Sequence, residues 1–185
     1  MTMRVTGGAS AGRKLAAKPS AGLRPTTAMV RQAIFNTLGR SVQGAVVADI
    51  FAGAGTLGIE ALSRGAQRAV FVERSRRCVS MIRGNLERAG QAARAQVYVG
   101  GASAWIRSQA ESLAVFDILF LDPPYASGVL WLTLELLAPR VRQGCLAVAE
   151  HGTADGSPAV IAGWRLDKQR RYGGSVVSYL VAGER

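Results

Sequence analysis

Asp122, Pro123, Pro124 and Tyr125 follow one another directly after the apolar run "FDILFL". An acidic group, two prolines and an aromatic in this order suit attack by the exocyclic amine of a nucleobase. Such a nitrogen is a poor nucleophile because its lone pair is delocalised into the ring. Asp122 and the backbone carbonyl of Pro123 can accept its two N–H groups and bias it towards a tetrahedral nucleophile. The prolines fix the loop and remove competing N–H donors. Tyr125 offers a face on which a flipped or single-stranded base can stack. The competing account is a rigid turn after a strand, with Tyr125 as packing.

A second stretch, "DIFAGAGTLGIEALSRG", carries Gly53, Gly55 and Gly58 in the pattern G-x-G-x-x-G. The acidic Glu73 follows at about the 20-residue interval expected of a nucleotide site. Gly53 and Gly55 let a ligand approach the backbone, and Glu73 can accept from both hydroxyls of a ribose. These features serve NAD and S-adenosylmethionine equally. Asp49 favours the second, since it could receive the ammonium of a methionine moiety, whereas a pyrophosphate would be repelled. A sulfonium is already a strong electrophile, so no metal or potent base is required, and placing the reactants in line supplies most of the catalysis.

The elements that must position these residues are legible from periodicity. Thr26 and Thr27 offer N-cap hydroxyls before a helical run of Met29, Val30, Ala33, Ile34 and Leu38, with Gly39 placed to stop it. From residue 46 strands and helices alternate: "VVADIF", "LGIEALSRG", "RAVFVE", a helix over 75–89, "AQVYVG", a helix from Ala102, "FDILFLD", "VLWLTLELLAP" and "CLAVAEH". Alternation of this kind predicts a parallel sheet with helices on both faces. Its ligands then sit beyond the carboxyl ends of the strands, where strand order reverses. The ending, "GWRLDKQRRY-GGS-VVSYLVA", predicts a hairpin about a Gly-Gly turn. Residues 1–24 are expected to form a small β-hairpin or a mobile arm. The division expected is 1–45, a basic arm with a helix, and 46–185, the catalytic domain.

The chain has 185 residues and a formal charge of +11. Residues 1–48 hold seven basic residues and no acidic one; the remainder holds 16 basic against 12 acidic. A basic excess concentrated in one segment suits a polyanion, because Lys and Arg release counterions from phosphates. Arg4, Arg13, Lys14, Arg24 and Thr27 are the candidate substrate contacts at this end, and Lys168, Arg170 and Arg171 those at the other, beside Arg165. No apolar run approaches a membrane span and the start lacks an apolar signal core, so a soluble, cytoplasmic and monomeric protein is expected. Cys78 and Cys145 have no metal-ligand spacing and are expected as buried thiols.

On these motifs the chain resembles the RsmD family of 16S ribosomal RNA guanine-N2 methyltransferases. The resemblance runs through "GGASAGRKL", "GLRPTT", "DIFAGAGTLGIEALSRGA", Glu73, Asn85, "ILFLDPPY" and "RRYGGSVVSYL". It implies a Rossmann-like S-adenosylmethionine-dependent methyltransferase fold, a seven-stranded, mostly parallel sheet with an antiparallel C-terminal hairpin. It implies a cofactor site at Asp49, Phe51, Gly53, Gly55 and Glu73, and an amine site at Asp122, Pro123, Pro124 and Tyr125; Arg74, next to Glu73, is a further candidate at the adenosine edge. The partner implied is 16S ribosomal RNA or the small ribosomal subunit. This chain departs from the family pattern at Ala28, Met29 and Gln32. The third strand of the sheet ends in "VGGAS" where Asp or Asn is usual, so backbone N–H groups around Gly101 and Ala102, or Ser103, take that role.

His151 and Glu150 read as strand-end residues, and Trp105, Trp131 and Trp164 as packing. Three rivals remain: a methyltransferase acting on an adenine amine of DNA or RNA, a non-catalytic RNA-binding protein with the same fold, and a nicotinamide oxidoreductase. A glutamine methyltransferase of proteins fits less well, because that chemistry goes with Asn in place of Asp122.

Overall fold

A computed structural model describes residues 2–17, 27–109, 113–124, 128–156 and 161–183. The chain opens with an antiparallel pair, β1 (Thr2–Arg4) and β2 (Lys14–Ala16), so residues 2–16 form a hairpin. Helix α1 (Ala28–Leu38) follows, with the Thr27 side chain accepting from the Val30 N–H at 3.2 Å and Gly39 closing the far end at φ 51°. The remaining elements alternate: β3 (Val46–Ile50), α2 (Thr56–Ser63), β4 (Arg68–Glu73), α3 (Arg76–Ala89), β5 (Ala95–Val99), α4 (Ala102–Ser108), β6 (Ile118–Leu121), α5 (Val129–Leu137) and β7 (Leu146–Gly152). Two long strands, β8 (Trp164–Tyr172) and β9 (Ser175–Ala182), finish the described chain and turn at Gly173 and Gly174.

The sheet runs β5-β4-β3-β6-β7-β9-β8, parallel from β5 to β7, with β9 antiparallel to both of its neighbours. This is the seven-stranded sheet with an antiparallel C-terminal hairpin that the sequence implied. Its inner strands are mostly apolar because both faces are covered, with Asp49 on β3 and Glu150 and His151 on β7 as buried polar exceptions. Val47, Phe71, Ile118, Phe120 and Val148 pack on one face with α1, α2, α3 and the N-terminal hairpin residues Val5 and Leu15. Ala48, Ile50, Val70, Val72, Leu119 and Leu121 pack on the other with α4 and α5. Cys78 and Cys145 are buried free thiols, and burial pushes the Cys145 thiol up to about 12.

One expectation for α1 needs correction. Met29 belongs to the periodic run that predicts this helix, but it is 65% exposed, while Arg31 is buried. Apolar periodicity could not reveal this, because Arg31 is compensated by a residue far along the chain. Its Nε donates to Glu60 at 3.3 Å and its Nη2 to the Arg4 carbonyl at 2.6 Å. Glu60 also accepts from the N–H and hydroxyl of Thr6 and from Arg64. The hairpin, α1 and α2 therefore meet at one buried carboxylate.

Candidate active site

The order β5-β4-β3-β6 places the reversal of strand order between β3 and β6. Ile50 pairs with both Val72 and Leu121, so the chains leaving β3 and β6 emerge side by side. The first enters the glycine loop and the second enters Asp122-Pro123-Pro124. Adjacent strands lie about 4.8 Å apart, so the two motifs share one crevice.

The glycine loop begins with a sharp turn. Phe51 has φ 70°, the sole positive value at a non-glycine among the described residues. That conformation costs on the order of 1–3 kcal/mol and persists only where its surroundings hold it. Here the Ala52 N–H donates to the Val72 carbonyl at 3.1 Å and the Gly55 N–H to the Ala52 carbonyl at 2.7 Å. A Cβ at Gly53 would meet nothing within 4 Å, so the loop has open space above it at that position. Gly58 answers a different need, because a Cβ there would stand 2.3 Å from the Phe71 ring. It lets α2 lie close on the sheet.

Two carboxylates underlie the loop. Asp49 is 2% exposed, and its Oδ2 accepts from the Gly58 N–H at 2.9 Å. Burial pushes its carboxyl up to about 7; the Gly58 N–H works against the rise and nearby Glu73 adds to it. Glu73 spans two loops, its Oε2 accepting from the Gly53 N–H at 2.9 Å and its Oε1 from the Ser75 N–H at 2.8 Å. The Glu73 carbonyl accepts from the Gly100 N–H at 3.0 Å, which ties in the end of β5. Open space over glycine with two carboxylates beside it fits a cationic nucleoside ligand and disfavours a pyrophosphate.

Asn85 is the residue whose part in the site sequence reasoning missed. It is fully buried on α3 and donates to the carbonyls of Ala54 at 3.0 Å and Ala16 at 2.9 Å, while accepting from the Ala16 N–H at 2.7 Å. It thereby joins the glycine loop to β2. A lone Asn among the apolar positions Ile82, Leu86 and Ala89 was the available signal.

The other expected residues fall as follows. Asp122 is half-buried, Pro123 buried and Pro124 exposed; Tyr125 and Arg24 lie outside the described residues. Arg74 is exposed just past Glu73. Gly101 is exposed at the start of α4, and the Ala102 side chain packs in the core, leaving its backbone for any ligand. Thr27 spends its hydroxyl on the α1 cap. Arg4 donates to the Gly12 carbonyl, Arg13 to that of Arg88, and Lys14 is exposed. Arg170 is exposed and Lys168 half-buried on β8, and Arg171 donates through Nε to the Gly173 carbonyl at 3.2 Å. His151 is buried between the Gly152 carbonyl, the Ser178 hydroxyl and the Trp131 ring, as a structural residue would be. Among the described residues no group of His, Cys, Asp and Glu could hold a metal, and no helix is long and apolar enough to cross a membrane.

Residues 3–181 match the family described as conserved hypothetical protein 95. The ribosomal RNA small subunit methyltransferase D of Escherichia coli is 36% identical over 170 residues, 91% of this chain and 84% of its own length. The protein of the same name from Haemophilus influenzae is 31% identical over 180 residues, 96% and 91% of the two chains. A solved Escherichia coli structure assigned to a methyltransferase, yhhF, superposes with a TM-score of 0.86 at 30% identity, covering 100% of both chains.

Proposed function

The chain belongs to the conserved hypothetical protein 95 family, and we propose on that premise that it methylates ribosomal RNA from S-adenosylmethionine, at the N2 amine of a guanine in 16S ribosomal RNA. When bound, that cofactor supplies an electrophilic methyl group on a sulfonium. The residues that would hold it are those under and around the open loop. Asp49 faces its ammonium, Glu73 its ribose, and Phe51, Gly53 and Gly55 present backbone to it. The backbone at Gly101 and Ala102 receives its adenine, with Arg74 at the rim.

Asp122 and the Pro123 carbonyl accept the two N–H groups of the target amine and hold its lone pair towards the methyl carbon. Pro123 and Pro124 keep that acceptor pair rigid, and Tyr125 stacks on the base. Preorganisation of this kind lowers the barrier by prior placement of the reactants, without a metal. Residues 1–45 grip the RNA or the assembled particle through Arg4, Arg13, Lys14, Arg24 and the Thr27 region, and 46–185 carry the chemistry. The enzyme works as a monomer in the cytoplasm.

The observation that supports this reading most is the pairing of Ile50 with Leu121, which sets the glycine loop beside Asp122. The test is methyl transfer from labelled S-adenosylmethionine to small ribosomal subunits lacking native methylation, followed by nucleoside analysis. Label in N2-methylguanosine that disappears in Asp122→Ala is the expected result. Label in methyladenosine would overturn the base assignment, and cofactor binding without any transfer to RNA would favour a non-catalytic RNA-binding protein.

A further inference from the structure

Strand β8 is the outer edge of the sheet, and its residues from Arg165 to Arg171 are exposed apart from the half-buried Lys168. Its register against β9 is not regular. Arg165 pairs with Val181 and Leu166 with Leu180, but Lys168 pairs with Tyr179, so Asp167 is an extra residue opposite no partner. In a regular strand Arg165 and Lys168, three apart, would point to opposite faces of the sheet. The bulge inserts one residue and returns them to the same face.

That face can be identified. Directly paired residues lie on the same side of a sheet. Lys168 pairs with Tyr179 and Arg170 with Val177, and both partners belong to the core under α1 and α2. Val181, two residues beyond Tyr179, brings Arg165 to that side as well. Tyr172, next in the series, packs against the same core. Trp164 and Leu166 pair with Ala182 and Leu180 on the opposite side, where Gln169 also binds Ser178. Arg171 falls on that opposite side and curls onto its own turn.

We propose that Arg165, Lys168 and Arg170, phased onto one face by the bulge at Asp167, form a track that holds the phosphate backbone of the RNA substrate. The proposal rests on the RNA-methyltransferase reading and extends it to a surface outside the catalytic crevice. Charge supports this occupant. Helix α1, which covers the neighbouring strands on this face, contains no acidic residue, and Arg40 just beyond it is exposed. Asp167 lies 3.5 Å from Arg165, and that pair is solvent-exposed and therefore weak. Direction fits as well. β8 runs parallel to β3 and β6, since β9 is antiparallel to both β7 and β8, so Arg170 lies at the end of the track nearer the catalytic edge. Three strand spacings separate β6 from β8, so the track passes about 14 Å to the side of the crevice.

The test is binding of unmodified 16S ribosomal RNA transcript over a series of KCl concentrations. The variant Arg165→Ala/Lys168→Ala/Arg170→Ala should flatten the slope of log K against log salt by about 2 to 3, at roughly 0.7–0.9 per phosphate contact. Arg107→Ala, on α4 across the sheet, should leave the slope within error. The exchange Arg165→Leu with Leu166→Arg keeps the net charge and moves one cation to the other face; it should lower the slope by about 0.7–0.9. An unchanged slope in the exchange, or a loss of about 0.7–0.9 in Arg107→Ala as well, would overturn the track. Calorimetry with S-adenosylhomocysteine and methyl transfer, run on the same samples, separate the two levels. Normal cofactor binding and transfer with an unchanged slope would sink the track alone. A flattened slope without cofactor binding would sink the reaction and leave the RNA surface standing.

Discussion

Glu73 accepts the N–H of Gly53 at 2.9 Å, so the acidic residue at the end of β4 shapes the loop at the end of β3 before any ligand arrives. A residue expected only to hold a ribose is also part of the loop's frame. Glu73→Ala removes the acceptor for Gly53 and Ser75 together, and should weaken S-adenosylmethionine binding by roughly tenfold to a hundredfold, about 1.4–2.8 kcal/mol. Glu73→Gln, which keeps one acceptor oxygen, should lose less. Titration calorimetry of the two variants checks the order, and equal losses would count against the framing role.

Asp49 gives a pH dependence whose sign is unusual for a carboxylate. Its folded value of about 7 lies above the unfolded value of about 3.9. Between these limits the native state holds a proton that the unfolded chain has released. Stability from this group is therefore fully present below about pH 4, declines as pH rises through the window, and is lost above about 7. Asp49→Asn retains an acceptor for Gly58 and abolishes the titration. The variant should gain on the wild type as pH is raised from about 4.5 to 8 in urea unfolding. A constant difference between the two would show that the group does not titrate.

Glu60 is the buried hub of Arg31, Arg64 and Thr6, and Arg31 Nη1 has no hydrogen-bond partner among the described residues. Burial lowers the Arg31 value, while the charge of Glu60 raises it. Glu60→Ala leaves a buried guanidinium without its counter-charge and should cost about 3–5 kcal/mol. Arg31→Met/Glu60→Leu removes both charges and should recover much of that loss. Denaturant midpoints of the single and double variants decide it; a double variant worse than the sum of the singles would contradict the account.

Asn85 carries three hydrogen bonds between α3, β2 and the glycine loop. Asn85→Ala strands the polar groups of Ala16 and Ala54, at about 1–3 kcal/mol for each that stays buried. Amide exchange should rise in β2 and in 52–56 together. A rise confined to β2 would show that the loop stands without Asn85.

Much of the architecture is local information. The alternation of apolar runs, the cap Thr27, the Gly-Gly turn and the two chemical motifs are short-range patterns, since helix and strand periods and turn chemistry act within a few residues. The sequence by itself therefore determined the element types, the glycine loop and Asp122-Pro123-Pro124. Which strands become neighbours, and what a polar residue meets when buried, depends on segments far apart in the chain. The pairing of Ile50 with Leu121, the burial of Arg31 against Glu60 and the meeting of Asn85 with Ala16 arise only on folding. So does the bulge at Asp167: strand alternation read along "RLDKQRRY" puts Arg165 opposite Lys168, and only pairing with β9 turns them to the same face. Local periodicity carries no record of an unpaired residue, because the register is set by the partner strand.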